Sequence, residues 1–245
     1  MAGLIFGRAE QEPQPDRPKR VLVYGDSLSW GWVPQRTFIP SQQFPPDRKW
    51  PKVMGTALGP GYEVVVDAMS GRTTDADDPL APQIPGVGTK GNECLPATLA
   101  AHLPLELVVL MLGANDCKPQ FARGALRIAL GAGQLIDTVQ RSASFFGTLW
   151  LSNAAPQVLL VCPPPFGSFV RAADKLFAGA AERADGLAVA LAHVAAAARV
   201  AFFDAGTVVQ CDGVDGVHLT GKSQQTLGLA MAEQVRTVLA AQEAG

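Results

Sequence analysis

The chain has 245 residues, which suits one α/β domain with a sizeable core. Apolar residues make up 48% and charged residues 17%, so intrinsic disorder is not expected. The 20 basic residues nearly balance the 22 acidic ones, which argues against nucleic-acid binding. The sequence also lacks the run of about 18 apolar residues that a membrane span requires.

The first part of the chain differs in composition from the rest. Residues 1–19 are rich in Gln, Glu, Pro and Arg and are predicted to form a flexible leader before a single domain at 20–245. They lack the features of a signal peptide. The cysteines are widely spaced, which favours reduced packing thiols in a cytoplasmic protein over a metal site or a disulfide framework. They are Cys94, Cys117, Cys162 and Cys211.

Five short apolar runs, rich in β-branched or aromatic residues, recur along the chain. They lie at 20–25, 62–67, 107–113, 157–162 and 199–204. Such runs are typical of buried strands. Because helix-like stretches alternate with them, we predict one parallel sheet with right-handed crossovers and helices on both faces.

The predicted helices differ in length, and two of the loops are long. The helices are expected at 49–58, 95–102, 122–147, 172–198 and 224–241. Loops 34–48 and 75–92 are longer than a connection needs. Long ordered loops in compact domains often form lids or binding walls, and a surface insertion is the alternative interpretation.

Polar residues with complementary chemistry follow the predicted strands. In open parallel sheets, ligands bind beyond the carboxyl ends of the strands. The residues of interest at these positions are Ser27, Gly71, Asn115, Asp215 and His218. A serine hydroxyl needs a base to become a nucleophile, and an aspartate orients the imidazole of a histidine base. We therefore predict Ser27 as nucleophile, His218 as base and Asp215 as the orienting acid.

Acyl transfer also builds negative charge on a carbonyl oxygen, which needs hydrogen-bond donors already in place. The backbone N–H groups of Ser27 and Gly71 and the side-chain amide of Asn115 are predicted to form this oxyanion hole. Asp26 is expected to fix the turn before the serine through backbone hydrogen bonds. His102 and His193 lack the Asp three residues upstream, in a Gly-rich loop, that distinguishes His218.

These blocks resemble the SGNH (GDSL-type) hydrolase family over roughly residues 20–240, with Ser27, Gly71, Asn115 and His218 as the family's four residues. Segments 25–32, 71–74, 111–116 and 212–218 are similar to its bacterial arylesterase, acyltransferase and perhydrolase branch. The resemblance implies a flavodoxin-like three-layer α/β/α sandwich with a five-stranded parallel sheet. It implies hydrolysis of small esters, acyl transfer to alcohols or hydrogen peroxide in some members, and a homo-oligomer, octameric in the best-known case.

The wall of the acyl pocket has several candidates. Trp30 and Trp32 either pack in the core or line the pocket, and the resemblance favours at least one as a wall residue. Val217 and segment 163–166 are weaker candidates. No metal or organic cofactor is expected. Aryl esters, acetylated sugars or other small acetylated metabolites, and short-chain thioesters all remain open as substrates.

Two motif matches point to another class of protein. Residues 216–223 fit the phosphate-binding pattern G-x-x-x-x-G-K-[ST], and residues 86–91 fit the dinucleotide pattern G-x-G-x-x-G. Neither follows a predicted strand directly, as such loops require. A nucleotide-binding module is therefore the remote alternative, and a flavodoxin-like binding domain that has lost catalysis is a third.

Overall fold

Five short strands form one parallel sheet. The structure, a computed structural model, describes residues 17–80, 88–147, 154–169 and 171–243. Within these ranges the strands are β1 (Lys19–Gly25), β2 (Tyr62–Ala68), β3 (Leu107–Met111), β4 (Gln157–Cys162) and β5 (Ala201–Asp204). They lie in the order β2-β1-β3-β4-β5, and each neighbouring pair is parallel. The predicted sheet is confirmed.

Helices cover both faces of this sheet. They are α1 (Ser27–Trp30), α2 (Trp50–Leu58), α3 (Gly91–His102), α4 (Ala125–Gly147), α5 (Arg171–Leu176), α6 (Ala180–Ala184), α7 (Leu187–Ala198) and α8 (Gly221–Glu243). In β1, Leu22 and Tyr24 pack in a core with α3, α4 and α7. Val21 and Val23 point to the opposite face and pack with α2 and α8. The fold is therefore the predicted three-layer α/β/α sandwich.

The carboxyl ends of three adjacent strands lie at one level. Gly25, the last residue of β1, pairs with Ala68 in β2 and with Met111 in β3. The chain leaves the sheet after each of these residues. The polar residues that follow the three strands therefore converge at the same edge, which is where open α/β sheets bind ligands.

The region between β4 and β5 differs from the prediction. The Ala-rich pattern predicts one helix over 172–198, but the structure has α5, α6 and α7 there. Gly179 and Gly186 precede α6 and α7 with φ angles of 66° and 74°. Such angles interrupt a right-handed helix, and glycine adopts them readily. The prediction of one continuous helix is wrong because alanine content does not reveal these turns.

Several boundaries also shift by a few residues. α3 begins at Gly91 rather than at 95, α4 at Ala125 rather than at 122, and α8 at Gly221 rather than at 224. β3 ends at Met111 rather than at 113, and β1 begins at Lys19, the residue that ends the predicted leader. None of these shifts alters the strand order.

Candidate active site

A sharp turn after β1 presents the serine. Asp26 is the N-cap of α1, and its side chain accepts a hydrogen bond from the Leu28 N–H at 2.9 Å. The helix folds back so closely that a Cβ on Gly25 would lie 2.3 Å from the Oγ of Ser29. Glycine is therefore needed where the strand turns into the helix. The turn places Ser27 at the sheet edge with 8% of its surface exposed.

Ser27, His218 and Asp215 form a continuous hydrogen-bonded chain. The Oγ of Ser27 lies 2.9 Å from the Nε2 of His218, and the Nδ1 of His218 lies 2.9 Å from a carboxylate oxygen of Asp215. All three side chains are buried. When Asp215 accepts a hydrogen bond from the N–H at Nδ1, the proton-free Nε2 is the ring nitrogen that accepts the serine proton. The structure thus brings together the three residues predicted as nucleophile, base and orienting acid.

Several donors fix the Asp215 carboxylate. One oxygen accepts from the backbone N–H groups of Val217 at 3.0 Å and His218 at 2.9 Å. The other accepts from the His218 ring at 2.9 Å and from the Gln35 N–H at 3.4 Å. Burial acts to raise the pKa of Asp215, but His218 and the backbone hydrogen bonds outweigh it and hold the pKa below its ordinary value. Asp215 is therefore an anion at neutral pH and stabilises a protonated imidazole.

The short spacing between Asp215 and His218 depends on Gly216. This residue has a φ of 70°, and a Cβ on it would lie 2.4 Å from the carbonyl oxygen of Ser168. Conformation and crowding both require glycine here. The Gly167 N–H donates to the Gly216 carbonyl at 2.9 Å. The segment after β4 therefore supports the loop that carries the base.

Two of the predicted oxyanion donors are unpaired. In the part of the chain that the structure describes, the backbone N–H groups of Ser27 and Gly71 donate to no acceptor. Gly71 has a φ of 86°, and a Cβ on it would meet no atom of the described residues within 4 Å. Glycine is therefore favoured at position 71 by its positive φ and not by a lack of space for a side chain. Both N–H groups remain available to the negative oxygen of a tetrahedral intermediate.

The Asn115 side chain links the two segments that carry these donors. Its Nδ2 donates to the Oδ2 of Asp26 at 3.2 Å and to the carbonyl oxygen of Arg72 at 3.1 Å. Asp26 precedes Ser27, and Arg72 follows Gly71. The structure therefore places the three predicted oxyanion residues in adjoining positions. Asn115 is 5% exposed and begins the 3-10 turn that follows β3.

An aromatic wall covers the imidazole of His218. Trp32, a predicted wall residue, stacks on this ring with centroids 5.2 Å apart and an interplanar angle of 13°. Phe38 approaches the same ring edge-on at 6.2 Å. Sequence reasoning missed Phe38 because it lies in loop 34–48, which has no periodic pattern. The length of that loop is the signal that pointed to a binding wall.

The other predicted wall residues have different surroundings. Trp30 contacts the ring of Trp32, with centroids 5.9 Å apart, and lines a separate cavity of about 300 Å³. Val217 is 3% exposed and packs in the core. Segment 163–166 borders a cavity of about 560 Å³ between the sheet edge and α7. Trp32 is thus the predicted wall residue that contacts the proposed base.

Buried carboxylates fix the loop that carries Gly71. The Asp116 carboxylate accepts from the Thr74 N–H at 3.0 Å and from the Thr74 hydroxyl at 2.6 Å. Asp75 pairs with the Arg123 guanidinium. These contacts tie the segment after β2 to the segment after β3. The Asp75 pair left no signal in the sequence because its members are far apart along the chain. Residues 81–87 of the long loop 75–92 lie outside the described residues.

The run that fits a phosphate-binding loop, 216–223, has another role in this fold. It contains His218, and the Oγ1 of Thr220 accepts from the Ser223 N–H at 3.4 Å where α8 begins. β5 ends earlier, at Asp204, and a 3-10 turn and a loop intervene. The strand-loop-helix context of a phosphate-binding loop is therefore missing. The second match, at 86–91, lies partly outside the described residues.

Cys117 and Cys162 are buried thiols outside the proposed triad. Burial raises the pKa of Cys117 and of Cys162 to about 12, which keeps both thiols protonated and unreactive. Among the residues that the structure describes, no group of three or more His, Cys, Asp or Glu side chains could hold a metal ion. Within the same ranges, no helix has the length and apolar character of a membrane span.

One protein-family model matches most of the chain. The model of the GDSL-like lipase/acylhydrolase family matches residues 23–225. The chain belongs to this family. The predicted membership of the SGNH (GDSL-type) hydrolases is therefore confirmed, and the family's fold is the one described above. No curated protein matches the chain.

Solved structures of this family superpose closely on the GDSL-like chain. The inhibitor-bound aryl esterase of M. smegmatis is 42% identical, with a TM-score of 0.84, and the match covers 90% of this chain and 99% of that one. The carbohydrate acetylesterase Est24 of Sinorhizobium meliloti is 37% identical, with a TM-score of 0.83 and coverage of 89% and 99%. The family and these neighbours place the chain among the carboxylic ester hydrolases.

Proposed function

We propose that this protein hydrolyses small carboxylic esters through a covalent acyl-enzyme formed on Ser27. The observation that carries the proposal is the chain from Ser27 to His218 to Asp215, with 2.9 Å at each step. A hydroxyl at this distance from an imidazole, which is itself held by a carboxylate, is the geometry of an activated nucleophile. No metal or organic cofactor takes part in the proposed reaction.

In the acylation step, the Oγ of Ser27 attacks the ester carbonyl carbon while its proton passes to the Nε2 of His218. Asp215 stabilises the resulting imidazolium. The negative oxygen of the tetrahedral intermediate accepts hydrogen bonds from the Ser27 and Gly71 N–H groups and from Asn115. When the intermediate collapses, the bond to the alcohol oxygen breaks, and His218 returns the proton to the departing alkoxide.

In the deacylation step, water takes the place of the alcohol. His218 removes a proton from water, the hydroxide oxygen bonds to the acyl carbon, and the second tetrahedral intermediate releases Ser27 as the proton returns to its oxygen. An alcohol or hydrogen peroxide can replace water as the acceptor by the same proton transfers, giving a new ester or a peracid. We include acyl transfer in the proposal, and a homo-oligomer remains a prediction from the resemblance.

The surroundings of the triad favour a short acyl group. Trp32 lies flat on the imidazole, and Phe38 meets its edge, so two large rings occupy the space beside the base. Aryl esters of short acids are the substrates that we favour, because an aryl esterase is among the most similar solved structures. Acetylated carbohydrates are the alternative, supported by the similarity to Est24.

The test of the proposed nucleophile is Ser27→Ala. We expect p-nitrophenyl acetate turnover to fall on the order of 10⁴–10⁶-fold, and labelling by a fluorophosphonate to disappear. Ser29→Ala is the matched control, because Ser29 is a buried serine in the same short helix, and its Oγ has no hydrogen-bond partner among the residues that the structure describes. Full turnover in Ser27→Ala would show that the assignment is wrong.

A crossed panel of substrates and acceptors tests the finer part of the proposal. Aryl esters from acetyl to octanoyl and a set of acetylated sugars are each offered with water, an alcohol or hydrogen peroxide as acceptor. The proposal expects the highest kcat/KM with acetyl or propionyl aryl esters. A clear preference for acetylated sugars would favour the carbohydrate alternative instead.

A further inference from the structure

Asp26 is a buried carboxylate with two different hydrogen-bond donors. Its side chain is 1% exposed. One oxygen accepts from the Leu28 N–H at 2.9 Å and caps α1, and the other accepts from the Nδ2 of Asn115 at 3.2 Å. Only the first bond is needed for a cap. The second joins the residue before the nucleophile to a side chain of the oxyanion hole.

We infer that Asp26 is a positioning residue, in which the ionised carboxylate orients the Asn115 amide for the oxyanion and protonation weakens that hold. This inference rests on the proposed function, since Asn115 has an oxyanion to bind only if acyl transfer occurs. It assigns Asp26 a role beyond the turn that the sequence predicts. Asp26 acts through Asn115 and does not itself contact the reacting atoms.

The two hydrogens of the Asn115 amide have different fates in this scheme. In the free protein one is bound to Asp26 and the other to the Arg72 carbonyl oxygen, at 3.2 Å and 3.1 Å. A negative oxygen is a stronger acceptor than a neutral carbonyl. The arriving oxyanion therefore competes for the hydrogen that the Arg72 carbonyl holds. The bond to Asp26 persists and keeps the plane of the amide in place.

The charge on Asp26 determines whether it can hold both donors. An ionised carboxylate accepts at both oxygens, whereas a protonated carboxyl group has one O–H donor and reduced capacity to accept. Leu28 and Asn115 each need an acceptor, so a proton on Asp26 weakens one of these bonds. The bond to Leu28 is the shorter at 2.9 Å, and we expect Asn115, at 3.2 Å, to lose its fixed orientation.

The surroundings of Asp26 bring its titration into the range of an ordinary assay. Burial raises its pKa to about 7; the Leu28 N–H opposes this rise and the Asp116 carboxylate adds to it. The cations Lys118 and Arg72 act in the lowering direction. The groups that face Asp26 are Leu28, Asp116, Lys118, Arg72 and the buried thiol of Cys211.

The first test is the acid limb of the pH profile of kcat/KM. A histidine base must lose one proton to act, and the inference adds a second proton at Asp26. We therefore expect wild-type log kcat/KM to fall more steeply than one unit per pH unit over the range, around pH 7, in which Asp26 takes up its proton. In Asp26→Asn we expect a limb of unit slope and a plateau lowered about tenfold, through kcat rather than KM, because a neutral acceptor binds less strongly.

The control for this test is Asp204→Asn. Asp204 ends β5, and its carboxylate accepts from the Gly206 N–H at 2.8 Å, so it caps a turn after a strand much as Asp26 does. The steep acid limb should remain in this variant. If the acid limb of log kcat/KM has unit slope in the wild type and the same profile in Asp26→Asn, the inference about Asp26 is wrong. The proposed function would still stand in that case, provided that hydrolysis depends on Ser27.

A second test does not depend on activity. The sequence contains three asparagines, so selective ¹⁵N-asparagine labelling gives few side-chain amide signals, and Asn115→Ala assigns the one of interest. We expect the Asn115 signal to titrate with Asp26 in the wild type and to lose that titration in Asp26→Asn. If Asn115 titrates identically in both proteins, Asp26 does not control the amide. Absence of Ser27-dependent hydrolysis would instead remove the proposed function, and this measurement would still decide the coupling.

Discussion

Two buried aspartates flank the proposed nucleophile, and each holds a different part of the site. Asp215 is 0% exposed and holds His218, whereas Asp26 is 1% exposed and holds Asn115. Neither side chain is accessible to solvent, but Asp26 lies more deeply among protein atoms than Asp215 does, and the pKa values of the two move in opposite directions. The pKa of Asp215 lies below its ordinary value, and burial raises that of Asp26 to about 7.

The hydrogen-bond partners and the depth of burial both contribute to this difference. Asp215 accepts from both the backbone N–H and the ring Nδ1 of His218 and from the Val217 N–H, and its main partner becomes a cation during the reaction. Asp26 accepts from Leu28 and Asn115, both neutral, and lies near another carboxylate. Asp215 therefore provides a permanent charge, while Asp26 provides a charge that pH can remove.

The largest loss of kcat is expected when Asp215, which holds the base, is replaced. Asp215→Asn preserves shape but presents an amide N–H to the Nδ1 of His218, which favours the wrong tautomer of the ring. We expect kcat for p-nitrophenyl acetate to fall about 10⁴-fold with the fold intact. Steady-state kinetics and circular dichroism measure the two parts of this prediction.

Asp212→Asn provides the matched change in the same loop. Asp212 accepts from the N–H and hydroxyl of Thr220 at 2.9 Å and 2.7 Å and contacts the start of α8, not the imidazole. We expect its kcat to stay within about tenfold of the wild type, since surface caps contribute mainly stability. Equal losses in Asp212→Asn and Asp215→Asn would mean that loop integrity, not the tautomer of His218, is what Asp215 provides.

A smaller loss of kcat is expected when Asn115, the partner of Asp26, is replaced. Asn115→Ala removes one of three proposed oxyanion donors and leaves the hydrogen-bonded chain of Ser27 and His218 unchanged. We expect kcat to fall on the order of 10²-fold with little change in KM. Single-turnover measurements would place the loss in the chemical steps. A loss well under tenfold would remove Asn115 from the oxyanion hole.

The sequence predicted the fold and the triad for a common physical reason. Buried parallel strands require short apolar runs, and open sheets of this kind place functional residues just after such runs. Ser27, Gly71, Asn115 and His218 could therefore be found among the polar residues that come after each run. The Ala-rich stretch at 172–198 misled because its helical propensity is high while two glycines within it turn the chain.

Two contacts that support the proposed triad and oxyanion hole could not be predicted from the sequence. Asp26 and Asn115 are 89 positions apart, and nothing in either local pattern shows that they meet. Phe38 lies in a loop without periodicity, so its contact with His218 depends on the folded path of that loop. Residue type and position after a strand predicted the residues of the proposed triad, but the contacts of Asp26 with Asn115 and of Phe38 with His218 needed the structure.

Two glycines with left-handed backbones extend the comparison to stability. Gly216, beside Asp215, has a φ of 70° and would place a Cβ 2.4 Å from the Ser168 carbonyl oxygen. Gly71, on the Asn115 side, has a φ of 86° and open space. We expect Gly71→Ala to lower the free energy of unfolding by about 1 kcal/mol through backbone strain alone. Gly216→Ala should cost at least about 2 kcal/mol, because a clash adds to the strain.

Urea denaturation of the two variants measures this difference directly. Because both substitutions are glycine to alanine at positive φ, the change in the unfolded chain is the same for each. The contrast therefore isolates the contact with the segment after β4. Equal destabilisation of the two variants would show that the Ser168 contact does not restrict the loop that carries His218.

The smallest expected effect is on how the free energy of unfolding depends on pH. The contributions of Asp26 and Asp215 to it change with pH in opposite directions. A raised pKa means that folded Asp26 holds its proton more tightly than the unfolded chain does. The stability from Asp26 is therefore present below about pH 3.8 and lost as pH rises through about 7. The stability from Asp215, whose pKa is lowered, is present at higher pH and lost only in acid.

Asp26→Asn cannot ionise, so it escapes the loss of stability that the wild type undergoes between the unfolded and the folded pKa of Asp26. We expect the Tm of the variant minus that of the wild type to increase between about pH 4.5 and pH 7 and to level off above it, by about 2–4 °C for each kcal/mol involved. Asp215→Asn should show no such increase, because the stability that Asp215 contributes is lost only at more acid pH. A constant difference for Asp26→Asn across that interval would mean that Asp26 does not change charge there, and Asn115 would then need another explanation for any pH-dependent orientation.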